Sequence, residues 1–151
     1  MKRHLVIVAA LLALSAATYP QKARVVDGDT LDLNGTRYRL HGIDAPESGQ
    51  QCAKADGSAY PCGLAASRFL AHLIANQRVS CKAMGKSYGR VVAKCRAGGI
   101  DLSGEMVRAG YAIAYTRYSD DYTALEGHAR KARAGIWAGT FEAPEAYRRA
   151  H

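Results

Sequence analysis

Acidic and basic side chains crowd two short stretches of this 151-residue chain, Asp27-Gly28-Asp29-Thr30 and Arg39-Leu40-His41-Gly42-Ile43-Asp44-Ala45-Pro46-Glu47. Asn34-Gly35, between them, is a two-residue turn of the kind that accepts positive φ. A hairpin reversing there carries Asp29 back towards Arg39 and, just beyond it, Asp44. Two carboxylates converging on one place repel each other unless a cation holds them, and oxygen-only ligation suits Ca²⁺ or Mg²⁺ better than zinc. Taken singly, each aspartate reads more readily as a turn former. The chemistry therefore rests on the whole set, Asp27, Asp29, Arg39, Asp44 and Glu47, standing at adjacent strand ends and in the loop that follows.

The elements that must position these groups follow from the pattern. Ala23 to Val26, Thr30 to Leu33 and Thr36 to Leu40 are short β-type runs. Asp44 to Pro61, rich in Gly, Ser, Gln and Pro, reads as a loop. Leu64, Ala65, Phe69, Leu70, Leu73 and Ile74 recur at helical spacing on one face. Val79 to Ala83 and Val91 to Arg96 are strand-like on either side of the turn-forming Gly85 to Gly89. Asp101 or Ser103 then caps a short helix ending at Gly110, and Asp120 or Asp121 caps another that presents Leu125, Ala129 and Ala132. Strands, a helix, two strands and two helices make an α+β domain on a small curved sheet or barrel.

The four cysteines, Cys52, Cys62, Cys81 and Cys95, form no C-x-x-C pair, which disfavours zinc, and their even number suits two disulfides in an oxidising compartment. Folding the second hairpin about Tyr88 places Cys81 opposite Cys95 and leaves Cys52 for Cys62, where a loop meets a helix. The first residues agree with export. Lys2 and Arg3 precede an apolar run from Leu5 to Leu14 and the small residues Ser15-Ala16-Ala17. This is the form of a signal peptide (1–17) and is too short for a span of about 20 residues. Residues 18–151 are then the working domain, its core at about 22–138 and a tail at 139–151, with periplasm or medium as its location and no lasting membrane association. The formal charge of +8 falls by two, to +6, when Lys2 and Arg3 leave. That excess suits a polyanionic partner and a well-solvated surface alike, while 48% hydrophobic residues exclude wholesale disorder.

Asp-Gly-Asp-Thr, Arg-Leu-x-x-Ile-Asp-x-Pro-Glu and Tyr88-Gly89-Arg90, in this order, resemble the staphylococcal nuclease (thermonuclease) family. The likeness continues through Leu102 to Gly110 and Ala129 to Trp137. The paired cysteines and the Gly139 to Arg149 tail are similar to its secreted bacterial branch. The resemblance implies a five-stranded OB-type β-barrel with three helices. It implies Ca²⁺ held by Asp29, Asp44 and the backbone carbonyl of Ala45, a water positioned and polarised by Glu47, and a scissile phosphate gripped by Arg39 and Arg90. Tyr115 and Tyr118 would border the nucleotide-binding face, a packing role being equally open. The implied activity is that of a monomeric phosphodiesterase cleaving DNA and RNA, unstacked single strands most readily, with little sequence selectivity and 3′-phosphate products. A non-catalytic OB-type nucleic-acid-binding module is the alternative, although such a module needs no carboxylates facing a polyanion. His41 and His72 match no family catalytic position and read as structural. Ala45 stands where the family often has Thr, and Lys86-Ser87 where it has Asp followed by a basic residue.

Overall fold

The computed structural model describes residues 23–151; the segment read as a signal peptide lies outside them. Strands β1 (Ala23–Asp27), β2 (Thr30–Leu33) and β3 (Thr36–Leu40) form an antiparallel meander. Asn34 and Gly35 both take positive φ, 54° and 86°, as the two-residue turn requires. After β4 (Ile43–Asp44) come a small ribbon, β5 (Cys52–Ala53) with β6 (Ala59–Tyr60), and helix α1 (Cys62–Ile74). The second hairpin, β7 (Val79–Ser87) and β8 (Arg90–Ala97), joins the meander by a parallel pairing of β8 with β3. β9 (Ile100–Asp101) adds to β8, giving a mixed six-stranded sheet whose main path is β1-β2-β3-β8-β7. Helix α2 (Leu102–Arg108), β10 (Ile113–Ala114) paired with β4, helix α3 (Thr123–Ala132), a 3-10 turn (Gly135–Ala138) and helix α4 (Pro144–Ala150) complete the order.

The fold is the expected α+β, OB-like one, but β9 adds a sixth strand to the five expected, and two further differences stand out. The sheet is an open, curled half-barrel in which β1 and β7 do not pair among the described residues, and the helices number four there instead of three. The additional helix lies in the segment read as a tail. Pro144 occupies its first turn, where a missing N–H costs nothing, with Glu145 beside it and Arg148 and Arg149 in the last turn.

Leu31, Leu40, Leu70, Val79, Leu102, Met106 and Val107 are fully buried at the centre of the main core. Helix α1 reaches it through Ala66, Leu70 and Ile74, with Phe69 and Leu73 half-buried, whereas Leu64 is 41% exposed. The face is rotated because Cys62 and Gly63, not Leu64, pack at the helix start. The β7–β8 hairpin runs further than its composition suggested, reversing only at Tyr88-Gly89, both with positive φ, after a bulge between Ala83 and Gly85. Asp101 caps α2, accepting from the N–H of Ser103 at 3.1 Å. Neither Asp120 nor Asp121 caps α3 with its side chain: the Asp121 carboxylate instead receives Lys94 Nζ at 2.7 Å. Both expected disulfides are present, Cys52–Cys62 and Cys81–Cys95.

Candidate active site

The first hairpin delivers the charged groups. Asp29 follows β1, where the chain turns tightly enough that a Cβ on Gly28 would stand 2.8 Å from both Ala45 Cβ and Ala66 Cβ. Thr30 pairs across the ladder with Arg39, and the Leu40 N–H donates to the Asp29 carbonyl at 2.8 Å, so Arg39 projects beside Asp29. Its guanidinium joins the two aspartates: Nη1 donates to Asp29 Oδ1 at 2.7 Å and Nη2 to Asp44 Oδ1 at 2.8 Å. Asp44 ends β4, which is held by pairing with Ile113 on β10. The adjoining Ala45 N–H donates to Asp29 Oδ2 at 3.1 Å, and the Thr30 hydroxyl to Asp29 Oδ1 at 3.1 Å.

Both carboxylates are withdrawn from solvent, Asp44 wholly and Asp29 to 4% exposure. Burial pushes the Asp29 carboxyl up to about 7 against the opposing pull of Arg39, with Asp27 and Asp44 adding to the rise. Arg39 feels the reverse balance: burial lowers its pKa, but Asp29 and Asp44 more than offset this and hold it above its ordinary value.

Glu47 lies in a turn closed by the Gln50 N–H donating to the Glu47 carbonyl at 2.8 Å. Gln50 is fully buried. Its Oε1 accepts the Glu47 N–H at 3.1 Å while its Nε2 donates to the Glu142 carbonyl at 2.7 Å, linking this turn to the segment before α4. From α4, Arg148 reaches back with Nη1 donating to Asp44 Oδ1 at 2.8 Å and to Glu47 Oε1 at 2.7 Å, and with Nη2 donating to Asp44 Oδ2 at 3.0 Å. Burial pulls its pKa down, but hydrogen bonds to Asp44 and Glu47 hold it above the usual guanidinium value. Sequence reasoning missed both Gln50 and Arg148. Proline at the start of α4 marks the helix, but nothing in a linear reading shows that an arginine near its end meets a carboxylate 104 residues away.

These groups open on a cleft of about 260 Å³ that Asp27, Asp29, Arg39, Glu47, Arg90 and Arg148 share. Arg90 begins β8 and is half-buried; it makes no ion pair among the described residues, which leaves its fork available to an incoming anion. Tyr115 and Tyr118 stand at the rim with ring centroids 5.2 Å apart, Tyr118 69% exposed, and also border a neighbouring 310 Å³ cleft formed with Leu40 to Ile43 and Met84 to Ser87. His41 faces Asp121 at 3.6 Å and lines this second cleft, while His72 is exposed on α1.

The site therefore brings together Asp29, Arg39, Asp44, Ala45 and Glu47, with Arg90 and the tyrosines around the same opening. Its donor set fits a hard cation: two buried carboxylates with oxygen donors alone, whose charge is balanced here by guanidinium groups. No group of three or more His, Cys, Asp and Glu residues clusters as a ready-made cage among the described residues. Asp29 and Asp44 could supply only part of a cation's oxygen shell, the rest coming from water or other oxygen donors.

Residues 37–139 match the family model described as staphylococcal nuclease homologue. The matched span opens within β3 and closes before α4, so it includes Arg39, Asp44, Glu47 and Arg90 but neither Asp29 nor Arg148. The chain is 37% identical over 122 residues to the succinoglycan biosynthesis protein ExoI of Rhizobium meliloti, covering 77% of this chain and 63% of that protein. It is 30% identical over 139 residues to an uncharacterized endonuclease of Escherichia coli, covering 87% of this chain and 84% of the other. A probable staphylococcal-like nuclease of Oryza sativa, CAN4, is 31% identical over 133 residues, 86% of this chain and 25% of its own length.

Proposed function

Because this chain belongs to the staphylococcal nuclease family, with nucleic acid as the substrate its nuclease relatives imply, we propose that it is an exported, calcium-dependent endonuclease that hydrolyses DNA and RNA to 3′-phosphate ends. The observation that carries the reading is the single Arg39 guanidinium joining buried Asp29 to buried Asp44, with Glu47 and Arg90 on the same cleft.

Asp29, Asp44 and the Ala45 carbonyl would hold Ca²⁺, which when bound supplies charge neutralisation and polarisation at a phosphoryl oxygen. Arg39 and Arg90 grip the scissile phosphate, and their guanidinium donors stabilise negative charge as it grows in the transition state. Glu47, with 34% of its side chain exposed, lies where a water can reach it and orients that water for in-line attack. Tyr115 and Tyr118 offer stacking faces to unpaired bases, so single-stranded regions are preferred. Contacts that are otherwise confined to the phosphate carry no base information, and selectivity is low. The two disulfides suit periplasm or medium, and among the described residues no helix is long and apolar enough to cross a membrane.

The test is cleavage of single-stranded DNA and RNA by the purified protein with Ca²⁺ or with EDTA. Activity is expected with Ca²⁺ alone, and Glu47→Gln should lower the rate by about a hundredfold or more while leaving binding intact. Salt-sensitive binding without cleavage in any divalent cation would instead identify a binding module. Undiminished cleavage in EDTA would overturn the cation assignment.

A further inference from the structure

Arg148 gives the carboxylates more positive charge than Arg39 alone provides. Its fork covers both oxygens of Asp44, whose side chain is wholly buried, and extends to Glu47. Asp44 Oδ1 accepts from both Arg39 and Arg148, and Oδ2 accepts from Arg148. A cation ligated by Asp44 would need lone pairs that this guanidinium occupies, and two positive groups cannot share those oxygens without strong repulsion. The backbone that presents Arg148 is fastened independently of the ion pair. Gln50 holds the Glu142 carbonyl, Thr140 exchanges backbone hydrogen bonds with Ala53 at 2.9 and 3.1 Å, and Pro144 is buried. The guanidinium stands on a flexible stem, and the Arg148 side chain is 34% exposed, so it can leave the carboxylates while α4 stays in place.

We propose that Arg148 is an internal competitor for the divalent-cation site: its guanidinium holds Asp44 and Glu47 until a cation draws those carboxylates away, so α4 sets the protein's cation affinity. The inference rests on the calcium-dependent reading above. The apparent affinity is lowered by the fraction of molecules in which the guanidinium occupies the site.

Calorimetric titration of CaCl₂ into the whole protein, without nucleic acid, tests this in wild type, Arg148→Ala and Arg148→Gln. Both variants should bind Ca²⁺ about tenfold more tightly or better. Their melting temperatures should fall in EDTA, where buried Asp44 loses a counter-charge, and recover more than wild type's on adding Ca²⁺. Arg148→Lys, which keeps the charge without the fork, should fall between. Should Arg148→Ala fail to fold, the polar Gln and Lys variants carry the comparison. Ca²⁺ binding that is unchanged or weaker in folded variants overturns the competitor role alone, as does a loss of stability that is equal with and without Ca²⁺. No Ca²⁺ binding by wild type or any variant would overturn the calcium reading itself, and this inference with it.

Discussion

The position of Glu47 depends on an atom that is absent from its neighbour. A Cβ on Gly63 would lie 1.7 Å from the Glu47 carbonyl oxygen and 2.5 Å from its carbonyl carbon. Both are backbone atoms, so no rotamer change relieves the clash; either the start of α1 or the Glu47 turn must move. Gly63→Ala should therefore destabilise the protein by about 1–3 kcal/mol and reduce nuclease turnover at least tenfold, since overpacking is relieved by backbone shifts. Denaturant melts and initial rates on single-stranded DNA would measure the two effects. Gly127 is the control: it lies inside α3, where a methyl group would meet nothing within 4 Å, so Gly127→Ala should stabilise by about 0.5–1 kcal/mol and leave turnover unchanged. Equal loss of activity in both variants would show that Gly63 has no special relation to Glu47.

Between elements, Gln50 carries the connection. Its amide, itself fully buried, joins the turn of Glu47 to the backbone that leads into α4. Gln50→Leu should strand the Glu47 N–H and the Glu142 carbonyl, at a cost of about 1–3 kcal/mol, and should increase hydrogen exchange at both places more than in the main core. Exchange confined to one of them would disprove the coupling. Such a link also shows where a linear reading stops. The Asn34-Gly35 turn fixes a local register, so the approach of Asp29 to Arg39 was legible from residue types alone, and the register of Cys81 with Cys95 followed in the same way from the second hairpin. The strand and helix order was legible because periodicity and turn residues act locally. The ribbon β5–β6, the packing of Gln50 and the reach of Arg148 were not, because each depends on a partner set by tertiary packing: Thr140 for Ala53, Glu142 for Gln50, Asp44 for Arg148. The exposure of Leu64 has the same origin, since the close approach of Gly63 to Glu47 decides which face α1 turns inward.

At the scale of the whole molecule, the described residues form two apolar clusters, and each disulfide serves a different one. Cys95 lies in the main core beneath a long hydrogen-bonded hairpin, whereas Cys52 and Cys62 form a small second cluster with Ile136, against which Tyr60, Trp137 and Phe141 pack. The sequence separations of 14 and 10 are similar, so the chain-entropy model assigns each bridge about 3 kcal/mol. Replacing either pair by serines should then lower the melting temperature by a similar amount, about 10 °C. The consequences for the site should differ. The β7–β8 ladder still holds Arg90 when Cys81 and Cys95 are serines, but without its own bridge the second cluster relies on the two-residue β5–β6 ribbon and the Ala53–Thr140 bonds to resist local opening, and it anchors the chain that leads to α4 and lies beside the Glu47–Gln50 turn. Trp137, the chain's one tryptophan, sits in that cluster with its ring 5.0 Å from Phe141 and Arg130 above it, so its fluorescence reports the opening directly. In the Cys52→Ser/Cys62→Ser protein, the tryptophan emission should shift to the red and nuclease activity should decline well below the global melting transition. In Cys81→Ser/Cys95→Ser the two should change together with global unfolding. Identical behaviour of the two variants would mean that the small cluster opens only with the whole domain, and that the Glu47 turn and α4 draw their order from the main core.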